Sequence, residues 1–161
     1  MIIVVWGVSG CGKTTIAKQL AGQLDWQYLD ADDFHPAANI EKMRAGIPLD
    51  DEDRRPWLLE IASELKKVND AGGNATLACS ALKENYRQLL GIDEETIRSV
   101  LLNGSQPIIQ GRLDARRHEF MNKGLLASQL QALESETKGL QLDIEHTPSQ
   151  ICQTIICSFT L

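Results

Sequence analysis

Gly7-Val8-Ser9-Gly10-Cys11-Gly12-Lys13-Thr14 follows directly on the apolar run Ile2-Ile3-Val4-Val5-Trp6 and opens an amphipathic stretch. This is a complete G-x-x-x-x-G-K-[ST] phosphate-binding loop in the strand–loop–helix setting that gives the motif its meaning. It constrains the fold at once: a buried parallel strand, a tight glycine turn, then a helix whose N-terminal end faces an anion. Glycines at 7, 10 and 12 let the backbone curl so that successive N–H groups point inward. Lys13 has the reach for β- and γ-phosphates, and the Thr14 hydroxyl can ligate Mg²⁺. Val8, Ser9, Cys11 and Thr15 complete the cradle. The expectation is a nucleoside triphosphate site.

The rest of the chain reads as strands alternating with helices. Ile16, Ala17, Leu20, Ala21 and Leu24 recur at helical spacing over Thr14 to Leu24. Gln27 to Asp30 reads as a short strand ending in acids. Pro36 suits the first position of a helix running to Ala45, stopped by Gly46-Ile47-Pro48. Asp50, Asp51, Glu52 and Asp53 crowd the start of the next helix, where the helix dipole favours them. That helix carries Trp57, Leu58, Ile61, Ala62 and Leu65 and ends before Gly72-Gly73. Further strands are expected at Ala75 to Cys79, Val100 to Leu102 and Leu140 to Ile144. Helices are expected near Ala81 to Leu90, Pro107 to Arg117, Leu125 to Glu134 and from Pro148 to about Phe159. The pattern predicts an α/β fold with a parallel sheet flanked by helices, in one domain spanning residues 1–161.

Composition narrows the class. The 161 residues are 43% apolar, enough for a sizeable core. A net charge of −6 argues against a nucleic-acid-binding surface, so basic clusters are expected to face small anions. No apolar run approaches the roughly 20 residues of a membrane span, and the opening run lacks a signal peptide's basic flank. Cys11, Cys79, Cys152 and Cys157 show neither metal-ligand nor disulfide spacing, so a cytoplasmic location is the expectation.

Asp30-Ala31-Asp32-Asp33-Phe34-His35-Pro36 falls at the carboxyl end of the second strand, where parallel sheets collect ligands. Asp30 can hold Mg²⁺ through water, Asp32 can accept a proton from a substrate hydroxyl, and Asp33 is expected to cap the Pro36 helix. A histidine at 35 can donate to or accept from a hydroxyl. Cys11, near a helix N-terminus and Lys13, is expected to be the most reactive thiol.

Together with the phosphate loop, Asp30 to Leu58 (DADDFHPAANIEKMRAGIPLDDEDRRPWL) and Cys79 to Arg87 (CSALKENYR) closely resemble the gluconate kinases. These are small P-loop sugar-acid kinases related in fold to shikimate and adenylate kinases. The resemblance implies a P-loop NTPase fold, strand order 2-3-1-4-5, a helical lid at about 112–126, and ATP with Mg²⁺. It also implies transfer of the γ-phosphate to the 6-hydroxyl of D-gluconate. Family members are commonly homodimers.

Gluconate needs a cation for its carboxylate, and Arg54, Lys83 and Arg87 are the candidates, with Arg54 favoured by its place in the motif. His35 and Ser80 are expected to join Asp32 on the substrate. In the lid, Arg112 is implied to lie against adenine, and Arg116 or Arg117 to reach the phosphates, with Arg116 assigned to catalysis. An ungapped match to the family's R-x-G-H-F-M-P pattern puts His118, Glu119 and Asn122 where the family has Gly, His and Pro. An acid near three phosphates is electrostatically unfavourable. Two other functions therefore stay open: a kinase for another small hydroxy acid, shikimate-like or another aldonate, and an ATP-binding interaction module.

Overall fold

The computed structural model describes residues 1–115 and 123–161. The chain forms a five-stranded sheet from β1 (Ile2–Trp6), β2 (Gln27–Asp30), β3 (Ala75–Cys79), β4 (Ile97–Asn103) and β5 (Leu140–Asp143). Strand order is β2-β3-β1-β4-β5, with every neighbouring pair parallel, as the resemblance implied. The helices are α1 (Lys13–Leu24), α2 (Ala37–Arg44), α3 (Asp51–Asp70), α4 (Glu84–Leu89), α5 (Gln106–Ala115), α6 (Lys123–Ala132) and α7 (Pro148–Phe159).

The central strand shows why the sheet must be covered on both faces. Ile2, Val4 and Trp6 point into one apolar cluster with Trp57, Leu58, Ile61 and Leu65 of α3. Ile3 and Val5 point the other way, into a cluster with Ile16, Ala17 and Leu20 of α1 and Ile151, Cys152 and Ile155 of α7. All five β1 residues are fully buried, so a strand of uniform apolar character is what this position demands. The buried Thr76 donates its hydroxyl proton to the Ala17 carbonyl at 2.9 Å, tying β3 to α1.

Several element boundaries differ from the sequence expectation for identifiable reasons. β4 begins at Ile97, because Arg98 and Ser99 are accommodated in the strand. The Ser99 hydroxyl donates to Glu94 at 2.5 Å, and an Arg98 N–H donates to the Phe159 carbonyl at 3.3 Å. The helix expected from Ala81 starts at Glu84, since Ala81 takes a positive φ of 37° and Lys83 is an extended N-cap. Pro36 is the N-cap of α2 and not its first residue. α3 opens with a full capping box, Asp50 accepting from the Asp53 N–H while the Asp53 side chain accepts from Asp50. Among the described residues no helix is long and apolar enough to cross a membrane.

Register brings the site together. Trp6 at the end of β1 pairs with Cys79 of β3 and Leu101 of β4, and Asp30 of β2 pairs with Ala78. The loops after β1, β2 and β3 therefore leave the sheet on the same edge.

Candidate active site

The phosphate loop is shaped by positions that no side chain could occupy. Gly7 has φ 141°, and a Cβ there would stand 2.8 Å from the Leu102 carbonyl oxygen; at Gly10 (φ 83°) it would meet Leu113 at 2.8 Å. Gly12, also left-handed, is the N-cap of α1 and leaves the first N–H groups without a capping side chain, free for an anion. This backbone cradle fits a phosphate chain. The Lys13 ammonium donates to the Val8 carbonyl at 3.0 Å, folded over the loop it serves. Thr14 and Thr15 are exposed at the start of α1.

Two long-range contacts brace this loop. The Ser9 N–H donates to Gln129 Oε1 at 2.7 Å, and Gln129 Nε2 donates to the Ser9 hydroxyl at 3.0 Å, so α6 grips the loop through one amide. Arg112 donates to the carbonyls of Cys11 (3.3 Å) and Ile144 (2.6 Å), linking α5 to the loop and to the end of β5. The expectation for Cys11 is overturned. Its thiol is 1% exposed, and burial pushes its pKa up despite Lys13 and Arg112. Cys157 is the exposed cysteine.

The acidic turn is built from side chains instead. Asp30 Oδ1 accepts from the Asp32 N–H at 3.2 Å, capping a short 3₁₀ turn over Ala31–Phe34. Its Oδ2 accepts from the Tyr28 phenol at 2.6 Å. Thr14, exposed at the start of α1, and Asp30, held by Tyr28, are the residues expected on the metal side. A hydroxyl and a carboxylate are oxygen donors of the kind a hard cation such as Mg²⁺ takes. Asp33 does not cap α2: the 3₁₀ turn intervenes, and the α2 N-cap, Pro36, has no capping side-chain bond.

Asp32 has 89% of its side chain accessible. Even so, partial removal from bulk water, with the Asp30 charge next, raises its carboxyl above the ordinary range, against the pull of His35 and Lys13. His35 stacks on Trp57, ring centroids 4.4 Å apart and planes within 11°. Its Nε2 lies 3.9 Å from Asp32 Oδ1.

The three candidate cations part company. Arg54 Nε donates to the Leu49 carbonyl at 3.2 Å, with its guanidinium 5.8 Å from the Tyr86 ring centroid. Its charge is felt by His35, Asp51 and Tyr86, which places it centrally. Lys83 pairs with Asp51 at 2.7 Å, and the Tyr86 hydroxyl donates to the same carboxylate oxygen. Arg87 is a structural residue and not a substrate clamp. It is 3% exposed, donates to the carbonyls of Ala81, Leu82, Glu134 and Glu136, pairs with Glu84, and lies over the Trp6 ring. Ser80 sits in the turn beside the phosphate loop, its carbonyl accepting from the Gly7 N–H at 3.3 Å. Arg116, Arg117, His118, Glu119 and Asn122 lie outside the described residues.

A family model described as an AAA domain matches residues 2–136. A probable gluconokinase of Dictyostelium discoideum is 44% identical, over 86% of this chain and 72% of that protein. A gluconokinase of Gluconobacter oxydans is 41% identical, over 98% of this chain and 90% of its own length. The chain belongs to the gluconokinase family. A solved sugar kinase of Janibacter sp. HTCC2649 superposes with a TM-score of 0.87 at 40% identity, covering 97% of this chain and 92% of that one.

Read as a gluconokinase, the structure adds residues that motif reading left without a role. Asn39 stood in the resembling segment with no function attached, and Gln129 emerges only from its contacts with Ser9. Trp57 read as an apolar core position. Tyr28 carried no signal at all, because its importance lies in the Asp30 carboxylate that its hydroxyl meets.

Proposed function

We propose that this protein transfers the γ-phosphoryl group of ATP to the 6-hydroxyl of D-gluconate, giving 6-phosphogluconate and ADP. The observation that carries the proposal is the meeting of two differently built loops on one sheet edge: a backbone cradle with Lys13, and an acidic turn presenting Asp32 within reach of the Lys13 charge. A cradle alone would serve any nucleoside triphosphatase; the facing carboxylate supplies an acceptor side. The gluconokinase relatives specify the acceptor.

Asp32 takes the proton from the 6-hydroxyl as that oxygen bonds to the γ-phosphorus, and the bond from the γ-phosphorus to the β,γ-bridging oxygen breaks in line. A carboxyl held above its ordinary range is a better proton acceptor than a free aspartate. Lys13 and loop N–H groups stabilise charge on the transferring phosphoryl group and on ADP. Arg54 binds the gluconate carboxylate, while His35, Ser80 and Lys83 contact its hydroxyls. Arg112, donating to the Cys11 carbonyl, holds the nucleotide side of the loop. Thr14 and Asp30 would hold Mg²⁺, which when bound neutralises charge on the phosphates.

A coupled ADP-release assay with and without gluconate tests the proposal. ADP release that depends on gluconate is expected. Release at the same rate without the sugar acid would reduce the protein to an ATPase.

A further inference from the structure

Behind the acidic turn, α2 holds a buried amide, Asn39, that the reaction above does not use. Asn39 is 3% exposed and its amide faces two groups. Its Nδ2 lies 2.9 Å from the Asp53 backbone carbonyl, which can only accept, so this atom must be the donor nitrogen and not the amide oxygen. The same nitrogen lies 3.4 Å from His35 Nδ1. An amide nitrogen has hydrogens to give and no lone pair to offer. His35 Nδ1 must therefore be the unprotonated, accepting nitrogen, and the proton of the neutral ring resides on Nε2.

Each neighbour is itself held. The plane of the ring is set by its stack on Trp57, whose indole N–H is fixed to the Ala31 carbonyl at 2.6 Å. Asp53, whose carbonyl orients Asn39, is clamped by Lys42 at 2.6 and 2.8 Å and closes the α3 capping box. Burial disfavours the charged imidazolium, in keeping with a neutral ring. The Nε2–H faces Asp32 Oδ1 at 3.9 Å, too far for a direct hydrogen bond but close enough for both groups to address one hydroxyl.

We propose that Asn39 is a positioning residue that fixes His35 as its Nε2–H tautomer, making His35 a committed hydrogen-bond donor beside Asp32. A substrate hydroxyl between them accepts from His35, and its own proton is thereby turned toward the Asp32 carboxylate. The part played with substrate rests on the assignment of Asp32 as the acceptor-side acid; the tautomer does not.

The test separates the two. A long-range ¹H–¹⁵N correlation spectrum of the ¹⁵N-labelled protein at neutral pH, with the His35 ring assigned by its loss in His35→Gln, is expected to show the Nε2–H tautomer. Asn39→Leu is expected to lose that single tautomer and to lower kcat for gluconate by roughly ten- to a hundred-fold, with KM for ATP unchanged. A wild-type ring that is Nδ1-protonated or doubly protonated overturns the proposal, even if no Asn39 variant folds. So does an Asn39→Leu protein that keeps the wild-type tautomer. The Nε2–H signature in a protein with no gluconate-dependent turnover would instead contradict the proposed function and leave the tautomer assignment standing.

Discussion

The two sides of the candidate site are made in opposite ways. On the nucleotide side, Gly7 to Thr14 works through its backbone: glycines with positive φ, free N–H groups at the start of α1, and one lysine. On the acceptor side, several working groups are held by other side chains: Asp30 by Tyr28, His35 by Trp57 and Asn39, Lys83 by Asp51. A backbone cradle tolerates variation at its non-glycine positions, whereas a braced side-chain array fails when any brace is lost. Substitutions should therefore separate the two sides cleanly.

Lys13→Ala should have the largest effect. Turnover is expected to fall by several orders of magnitude because Lys13 acts on transferring charge, while thermal unfolding stays near wild type since its contact in the fold is one loop carbonyl. Steady-state kinetics beside a melting curve checks both halves. A comparable fall in Tm would mean the lysine holds the loop together.

Arg54 and Arg87 sharpen the contrast within the acceptor side. Removing a charge-assisted carboxylate contact in Arg54→Met should raise KM for gluconate about 30- to 150-fold, roughly 2–3 kcal/mol, without changing ATP affinity. Arg87→Met should do the reverse. Its loss strands buried carbonyl acceptors, so denaturant titration should show a stability loss of about 2 kcal/mol with KM for gluconate unchanged. An interchange of these phenotypes would return the clamp to Arg87.

This pair also shows what was legible in the sequence. Both arginines read as free cations, because a sequence cannot reveal that the carbonyls of Glu134 and Glu136, far along the chain, converge on one of them. The sheet and the phosphate loop were foreseeable because they rest on apolar runs, glycine spacing and a specific motif, and the strand order came only with the family resemblance. Cys11 was misjudged for a related reason. Lys13 and the helix end are visible as neighbours in sequence, but the packing that buries the thiol comes from elsewhere in the fold. Asp33 looked like a cap because the 3₁₀ turn that displaces it is set by the Asp30 side chain. Such braces form between residues whose spacing follows no helical or strand period.

A smaller effect lies away from the candidate site. The Asp93 carboxylate is drawn upward by burial, yet bonds from the Thr96 hydroxyl and the N–H groups of Ile97, Glu95 and Thr96 outweigh this and hold it at about 2. A depressed carboxyl stabilises the folded state above its unfolded value near 4, and that contribution is lost as pH falls from there toward 2. Asp93→Ala should cost about 1 kcal/mol at neutral pH and less at pH 2, with turnover unaffected. Equal destabilisation at both pH values would assign the effect to packing.

The claim that the acidic turn is the acceptor half of a phosphotransfer site is met most directly by Asp32→Asn, assayed for kcat with gluconate and for MgATP affinity in the same preparation. The account predicts a kcat lower by roughly 10²–10⁴-fold with MgATP binding unchanged, and loss of the wild-type decline in kcat as acid protonates a carboxyl titrating above the ordinary aspartate range. A variant that turns over at the wild-type rate, with the same acid limb, would contradict it.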